Sequence, residues 1–260
     1  MERSVLRAGI VLACACVCLL FSRPAVAADP AAPAPSPPAA ASKDADDYDD
    51  EYADDEKQVT VEDSLQPFNR DMFAVNDVLI LHALEPAAKA EKAVIPWEFR
   101  TIARNMFQNI RFPIRFVNAL LQAKWEKASD EFACFFLNTT VGFLGMADIA
   151  ANYPAIQKSP EDMGQTFAVW GWKESEYLTL PILGPSTVRD ALGKGPDLLL
   201  DPLFWLIQGI PLSLGVRAGE TVNATTFRIG DYEAIKKASL DPYIAIRNGY
   251  IQNRNKLIGE

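Results

Sequence analysis

The sequence predicts an all-α fold over residues 61–260, and three observations carry that reading. Apolar residues recur at helical spacing from Asp63 onward, proline and glycine fall between the periodic stretches, and no credible series of alternating strands is present. About 200 residues suffice for one good-sized core and do not require two. No repeat with a period of tens of residues is found, which argues against a solenoid.

Each element follows from its own punctuation. Pro67 to Leu84 places Phe68, Met72, Phe73, Val75, Val78, Leu79 and Leu81 on a broad stripe, and Glu85-Pro86 is expected to end it. Pro96 opens a helix through Ile110, and Pro113 opens another through Ala123, because a first-turn proline lacks only an N–H that would be unsatisfied anyway. Glu126 to Val141 adds Phe132, Phe135, Phe136 and Leu137 before a turn at Gly142, Gly145 and Asp148. Ser159-Pro160-Glu161-Asp162 has the cap, proline and acids of a helix start running to Trp170. Tyr177 to Leu183 reads as extended, Gly184-Pro185-Ser186 as the next helix start with Ser186 as its cap, and Ala218 to Lys256 as one or two long polar-faced helices.

What precedes residue 61 is expected not to fold. Arg3 and Arg7 stand before an apolar run from Ala8 to Phe21, and SRPAVA at 22–27 ends in small residues, so residues 1–27 read as a secretory signal peptide. The alternative is cleavage before Cys14, whose sulfur would carry acyl chains, but only six apolar residues would then precede it. Residues 28–60 are an Ala/Pro tether followed by an acidic run, with neither the apolar content nor the periodicity of a folded segment. The run from Asp44 to Glu56 supplies most of the formal charge of −9. The remainder is nearly neutral and has no basic face for nucleic acid. After cleavage at Ala27 only Cys134 is left, so an intramolecular disulfide is excluded and packing must hold the fold.

The catalytic inventory is thin. His82, the only histidine, lies on an apolar helix face and reads as a core or interface residue, since no nucleophile setting accompanies it. Cys134 among Phe132, Phe135 and Phe136 reads as a small core hydrophobe. Asp190, Asp197 and Asp201 are read as belonging to different elements, no metal-ligand spacing such as CxxC or HExxH occurs, and no cofactor is implied. The chain reads as a non-enzyme. Its excess lies elsewhere: 198–214 (LLLDPLFWLIQGIPLSL) has one charge, yet Pro202, Gly209 and Pro211 forbid one straight helix. Leu203, Phe204, Trp205, Leu206 and Ile207 are candidates for a membrane interface, the alternative being a buried core hairpin.

Particular residues then carry a resemblance. DSLQPFNR at 63–70 with Met72, Phe73 and Asn76, then Asn105-Met106-Phe107, Asn109-Ile110-Arg111 and Pro113, resemble the opening of the MlaA (VacJ) family. The likeness continues through Phe116-Val117-Asn118, FLNTTVG at 136–142, Asp148-Ile149-Ala150, EDMGQT at 161–166, Leu180-Pro181, GPSTVRD at 184–190, Asp241-Pro242-Tyr243, Arg247, Tyr250 and Arg254. It covers nearly all of residues 63–256 in order. The resemblance implies a ring-shaped helical domain in the inner leaflet of the outer membrane, facing the periplasm, with a central channel. Mislocalised phospholipid would leave the outer leaflet through it and pass to a soluble periplasmic lipid carrier, and a trimeric porin would be a partner. It further implies that Tyr177, Leu180 and Ile182 line or gate the channel, with Asn69 and Asn76 as polar contacts, and that Arg189 and Asp190 are structural. Family members are typically lipoproteins, whereas cleavage after Ala27 would leave no acyl anchor. A porin-associated envelope scaffold without transport activity is the rival reading. Direction of transport, lipid headgroup preference and porin identity are not legible in the residues.

Overall fold

The computed structural model describes residues 63–260. The signal peptide at 1–27, the tether at 28–60 and the alternative lipidation site Cys14 lie outside the described residues. The described architecture is all-α apart from one two-stranded hairpin.

The first helix, α1 (Gln66–Leu79), begins one residue before the expected Pro67, which sits in its first turn, and the helical path does not stop at Glu85-Pro86. A π-helical turn, Ile80–Leu84, carries it without a break into α2 (Glu85–Val94). Pro86 would obstruct an ordinary α-helical ladder, and a wider turn placed just before it relaxes that conflict. The Glu85 N–H donates to the Ile80 carbonyl, five residues back. The extra residue also shifts the buried face. Asn69 and Asn76 are buried in α1, and Glu85 and Ala88 in α2, one position later than a continuous 3.6-residue period gives. His82, at this turn, is exposed and corrects the core reading; its Nδ1 lies 3.2 Å from the Val78 carbonyl.

Ile95 is extended, as the residue before a proline must be, and Pro96 caps α3 (Trp97–Ile110). Helix α4 (Phe112–Leu121) has Pro113 in its first turn, and α5 (Trp125–Thr140) packs back on it. Phe112 stacks on Phe135 at 4.3 Å between ring centroids and on Phe116 at 5.1 Å. Beyond α5, Gly142 is obligatory, since a Cβ there would collide with the Ala147 carbonyl oxygen. The buried Asn138 fixes this turn by donating to Asp148 at 2.9 Å and accepting the Ala150 N–H at 2.9 Å.

The next helix, α6 (Met163–Val169), starts later than the Ser159-Pro160 pattern predicts. Asp162 is its cap, accepting from the Gln165 N–H at 2.9 Å. Glu161 serves other partners, pairing with Lys124 at 3.2 Å and Lys127 at 2.9 Å. Strand β1 (Tyr177–Leu180) pairs antiparallel with β2 (Gly184–Thr187), from Tyr177 opposite Thr187 to Leu180 opposite Gly184. Gly184-Pro185-Ser186 is therefore strand, not helix start. Thr187 and not Ser186 caps α7 (Val188–Leu200), through the Asp190 N–H at 3.1 Å. Asp190 and Asp197 share that helix and Asp201 ends it, correcting their assignment to separate elements. Helices α8 (Pro202–Leu206) and α9 (Ile210–Thr225) follow. The expected one or two final helices are three, because Gly230 and Asp241 restart the chain as α10 (Asp231–Ala238) and α11 (Pro242–Gly259). Among the described residues no helix is long and apolar enough to cross a membrane.

Candidate functional site

The polarity of the folded unit is inverted. Among its buried side chains, polar and charged ones outnumber apolar ones, and its many large exposed side chains include Phe, Trp, Leu and Ile. In an ordinary soluble domain buried polar groups are the exception and each requires a partner.

The hairpin is the first place where this matters. Asn69, 0% exposed, donates to the Tyr177 carbonyl at 3.0 Å and accepts the Thr179 N–H at 2.7 Å. Asn76, two turns along α1, donates to the Leu180 carbonyl at 2.9 Å and accepts the Ile182 N–H at 2.6 Å. Two amide side chains thus supply to the free edge of β1 the donors and acceptors that a third strand would otherwise provide. Between them they fix the hairpin tip, where Ile182 has φ +68° and is 81% exposed. A β-branched residue avoids that conformation, so the tip is held by its neighbours and not by its own preference. Tyr177 lies inside, with edge-to-face contacts at 6.2 Å to Tyr243 and 6.3 Å to Tyr250. The five channel or gate candidates, Asn69, Asn76, Tyr177, Leu180 and Ile182, lie together at this hairpin. Asn69 and Asn76 present side-chain amides to backbone, Tyr177 is core, Leu180 is half-buried and accepts from Asn76 through its carbonyl, and Ile182 projects outward.

Behind the hairpin lies a network of buried charge. Arg189 donates to Asp190 at 3.1 Å and to the Trp172 and Lys173 carbonyls at 3.1 and 2.9 Å. Arg254 reaches Asp162 at 2.6 Å and Asp190 at 2.9 Å, and the Tyr250 hydroxyl donates to the other Asp190 oxygen at 2.7 Å. Burial pushes the Asp190 pKa up, but Arg254 and Tyr250 outweigh it and hold the carboxyl below its ordinary value. A second knot joins Asp63 to Arg247 at 3.2 Å, to Asn69 at 2.8 Å and to the Tyr243 hydroxyl. Helix α11 is thus fastened by Tyr243, Arg247, Tyr250 and Arg254, a stripe of polar groups. The family resemblance contained all four but gave them no role; their spacing on one helix face is the signal that could have joined them.

The apolar exterior is most concentrated around α8 and the start of α9. Phe204, Trp205 and Leu206 are exposed, the last two at 64% and 73%, and Ile207 is partly so. Leu203 departs from the interface expectation: it is buried, beside an Asp201 that caps α8 and pairs with Arg217 at 3.0 Å. Cys134 is buried as expected, and burial pushes its thiol up to about 11, away from reactivity.

Comparison with known proteins agrees with this geometry. The family model described as "MlaA lipoprotein" matches residues 61–257. The intermembrane phospholipid transport system lipoprotein MlaA of Haemophilus influenzae is 31% identical over 202 residues, covering 76% of this chain and 80% of that one. Its counterpart in Escherichia coli K12 is 33% identical over 197 residues, covering 74% and 77%. A solved structure from work on the structural basis for maintenance of bacterial outer membrane lipid asymmetry superposes with a TM-score of 0.67 at 30% identity, covering 76% of this chain and 99% of that one. An all-α fold with an inverted polarity, a strapped hairpin and these relatives together place the chain in the MlaA lipoprotein family, to which it belongs.

Proposed function

We propose that the chain is the outer-membrane component of an intermembrane phospholipid transport system. It takes mislocalised phospholipid from the outer leaflet and passes it to a soluble periplasmic carrier, which maintains the lipid asymmetry of that membrane. The observation that carries this reading, beside family membership, is the inverted polarity of a unit without a spanning helix. Apolar groups around α8 and α9 suit immersion in one leaflet, with Trp205 at headgroup depth. A polar interior suits the passage of a headgroup, whose transfer through hydrocarbon costs several kcal/mol or more, on the order expected for unpaired polar and charged groups. In this reading the domain encloses a channel in the inner leaflet, the Tyr177–Leu183 hairpin stands beside it with Ile182 as its outermost point, and a trimeric porin steadies the whole. The role is transport and requires no covalent chemistry or cofactor.

The test is a strain lacking this protein, with outer-leaflet phospholipid measured by surface labelling of intact cells. Accumulation that is reversed by the wild-type chain is the expected result. Unchanged outer-leaflet composition would remove the transport reading, and co-purification of the wild-type chain with a trimeric porin would then favour a scaffold.

A further inference from the structure

Away from the hairpin, α3 carries a pair of arginines that the fold leaves without counter-charges. Arg100 and Arg104 stand one turn apart on one helix face, a spacing at which like charges repel. Arg100 is 6% exposed. Among the described residues neither guanidinium belongs to an ion pair. Arg100 uses only its Nε, on the Ile95 carbonyl at 3.1 Å. The buried Nε of Arg104 has no partner, and neither does the buried hydroxyl of Thr101 on the same helix. The contrast with the other buried arginines is sharp, since Arg189, Arg247 and Arg254 all meet carboxylates.

Aromatic rings hold the pair in place. The Arg104 guanidinium carbon lies 4.2 Å from the centre of the Phe227 ring, and that of Arg100 lies 5.5 Å from the same ring and 5.8 Å from that of Trp97. Trp97 meets Phe227 edge-on at 5.0 Å, closing the aromatic wall. Stacking fixes a guanidinium and offsets part of its desolvation, but it leaves the in-plane N–H donors available. Of the acids on the adjoining stretch of chain, Glu91 accepts from Asn223 at 2.8 Å, and Glu98 is exposed at the start of α3. Two forked donors one helical turn apart, with an unpartnered hydroxyl on the same helix, offer the charge-assisted contacts that a phosphate takes. The surroundings match something more: Val94, Trp97 and Phe99, on the stretch of chain that leads into Arg100, are exposed apolar side chains, so anion chemistry and hydrocarbon chemistry adjoin.

We infer that Arg100 and Arg104, with Thr101 and backed by Phe227, form a site for the phosphodiester of a phospholipid headgroup. The inference rests on the transport reading for its ligand, and on the unpaired arginines for its place. Free phosphate would satisfy the same donors, so the test must separate the two sources.

The experiment is calorimetric titration of the full chain in an uncharged detergent with three probes: dihexanoylphosphatidylglycerol, dihexanoylglycerol and inorganic phosphate. Wild type is expected to bind the phospholipid about tenfold more tightly than Arg104→Gln, the scale of one lost charge-assisted hydrogen bond. Arg104→Lys is expected to fall between them, and dihexanoylglycerol to bind wild type and variant alike. Circular dichroism of each variant shows whether it is folded, and Phe227→Leu, which keeps both charges, is the second variant should Arg104→Gln fail to fold; it is expected to weaken phospholipid binding severalfold. Equal phospholipid affinity of folded wild type and variants overturns the site, as does inorganic phosphate binding as tightly as the phospholipid. Loss of binding in Arg104→Gln together with normal outer-leaflet composition in the deletion strain would keep the site and refute the transport reading; the reverse pair of results would do the opposite.

Discussion

Asp197 receives the Met163 N–H at 3.1 Å and the Asn118 amide at 2.9 Å, yet burial dominates and pushes its pKa up to about 6. The folded value exceeds the ordinary aspartate value of about 4, so folding takes up a proton there and stability falls as pH rises from about 4 through 6. Asp148, Asp190 and Glu161 work the other way: their partners overcome burial and lower their pKa, so their contribution is lost only as pH falls below about 4. Asp197→Asn is expected to gain on wild type by at most about 3 kcal/mol between pH 4 and 7, at about 1.4 kcal/mol for each tenfold change in proton affinity on folding. Urea melts at several pH values measure it, and a pH-independent difference would assign the proton elsewhere. Such residues were legible only as types. Asn69 and Asn76 stood out through the family resemblance, but their backbone partners lie more than a hundred positions away, where no local pattern reaches. The unpaired arginines of α3 were invisible for the same reason, since a missing partner is a property of the fold.

At the scale of elements, the hairpin offers a selective test. Asn69 and Asn76 each hold one stretch of β1 and its tip, so Asn76→Ala should release the Ile182 amide while Thr179 stays protected by Asn69. Hydrogen exchange of the variant is expected to quicken about tenfold or more at Ile182, on the scale of one lost buried hydrogen bond. Equal quickening at both amides would mean the clamps act as one. A second test concerns the crossing of α6 and α7, where a Cβ on Gly193 would stand 2.6 Å from the Gly164 nitrogen. Gly193→Ala is expected to cost about 2 kcal/mol or more, as overpacking does, whereas Gly195→Ala, facing open space, should gain about 1 kcal/mol from helix propensity. Thermal melts of the two variants decide it. Helix identities were legible from period and proline, and most boundaries fell within a turn. The misread ones share a cause. Pro86, Ser159-Pro160 and Gly184-Pro185 are stop or start signals whose local preference was overridden, by a widened turn, by the ion pairs of Glu161 and by strand pairing.

For the molecule as a whole, the surplus of apolar residues was legible in composition, while its placement on the outside was not. Leu206 and Ile210 are each more than 70% exposed, so the pair Leu206→Lys and Ile210→Lys should leave stability within about 0.5 kcal/mol, as surface changes do. The same pair should weaken binding to phospholipid vesicles about tenfold or more, since two large apolar groups would no longer leave water. Flotation with vesicles reads this, and unaltered binding would move the contact surface away from α8 and α9. The buried network of Arg189, Asp190, Arg254 and Asp162 has a thermodynamic signature of its own. Hydrating apolar surface raises heat capacity and hydrating polar surface lowers it. Unfolding in detergent should therefore show a smaller heat-capacity increment than the roughly 12–15 cal/mol/K per residue of ordinary domains. Its free energy would then vary little across the growth range, holding a nearly level margin from cold to warm.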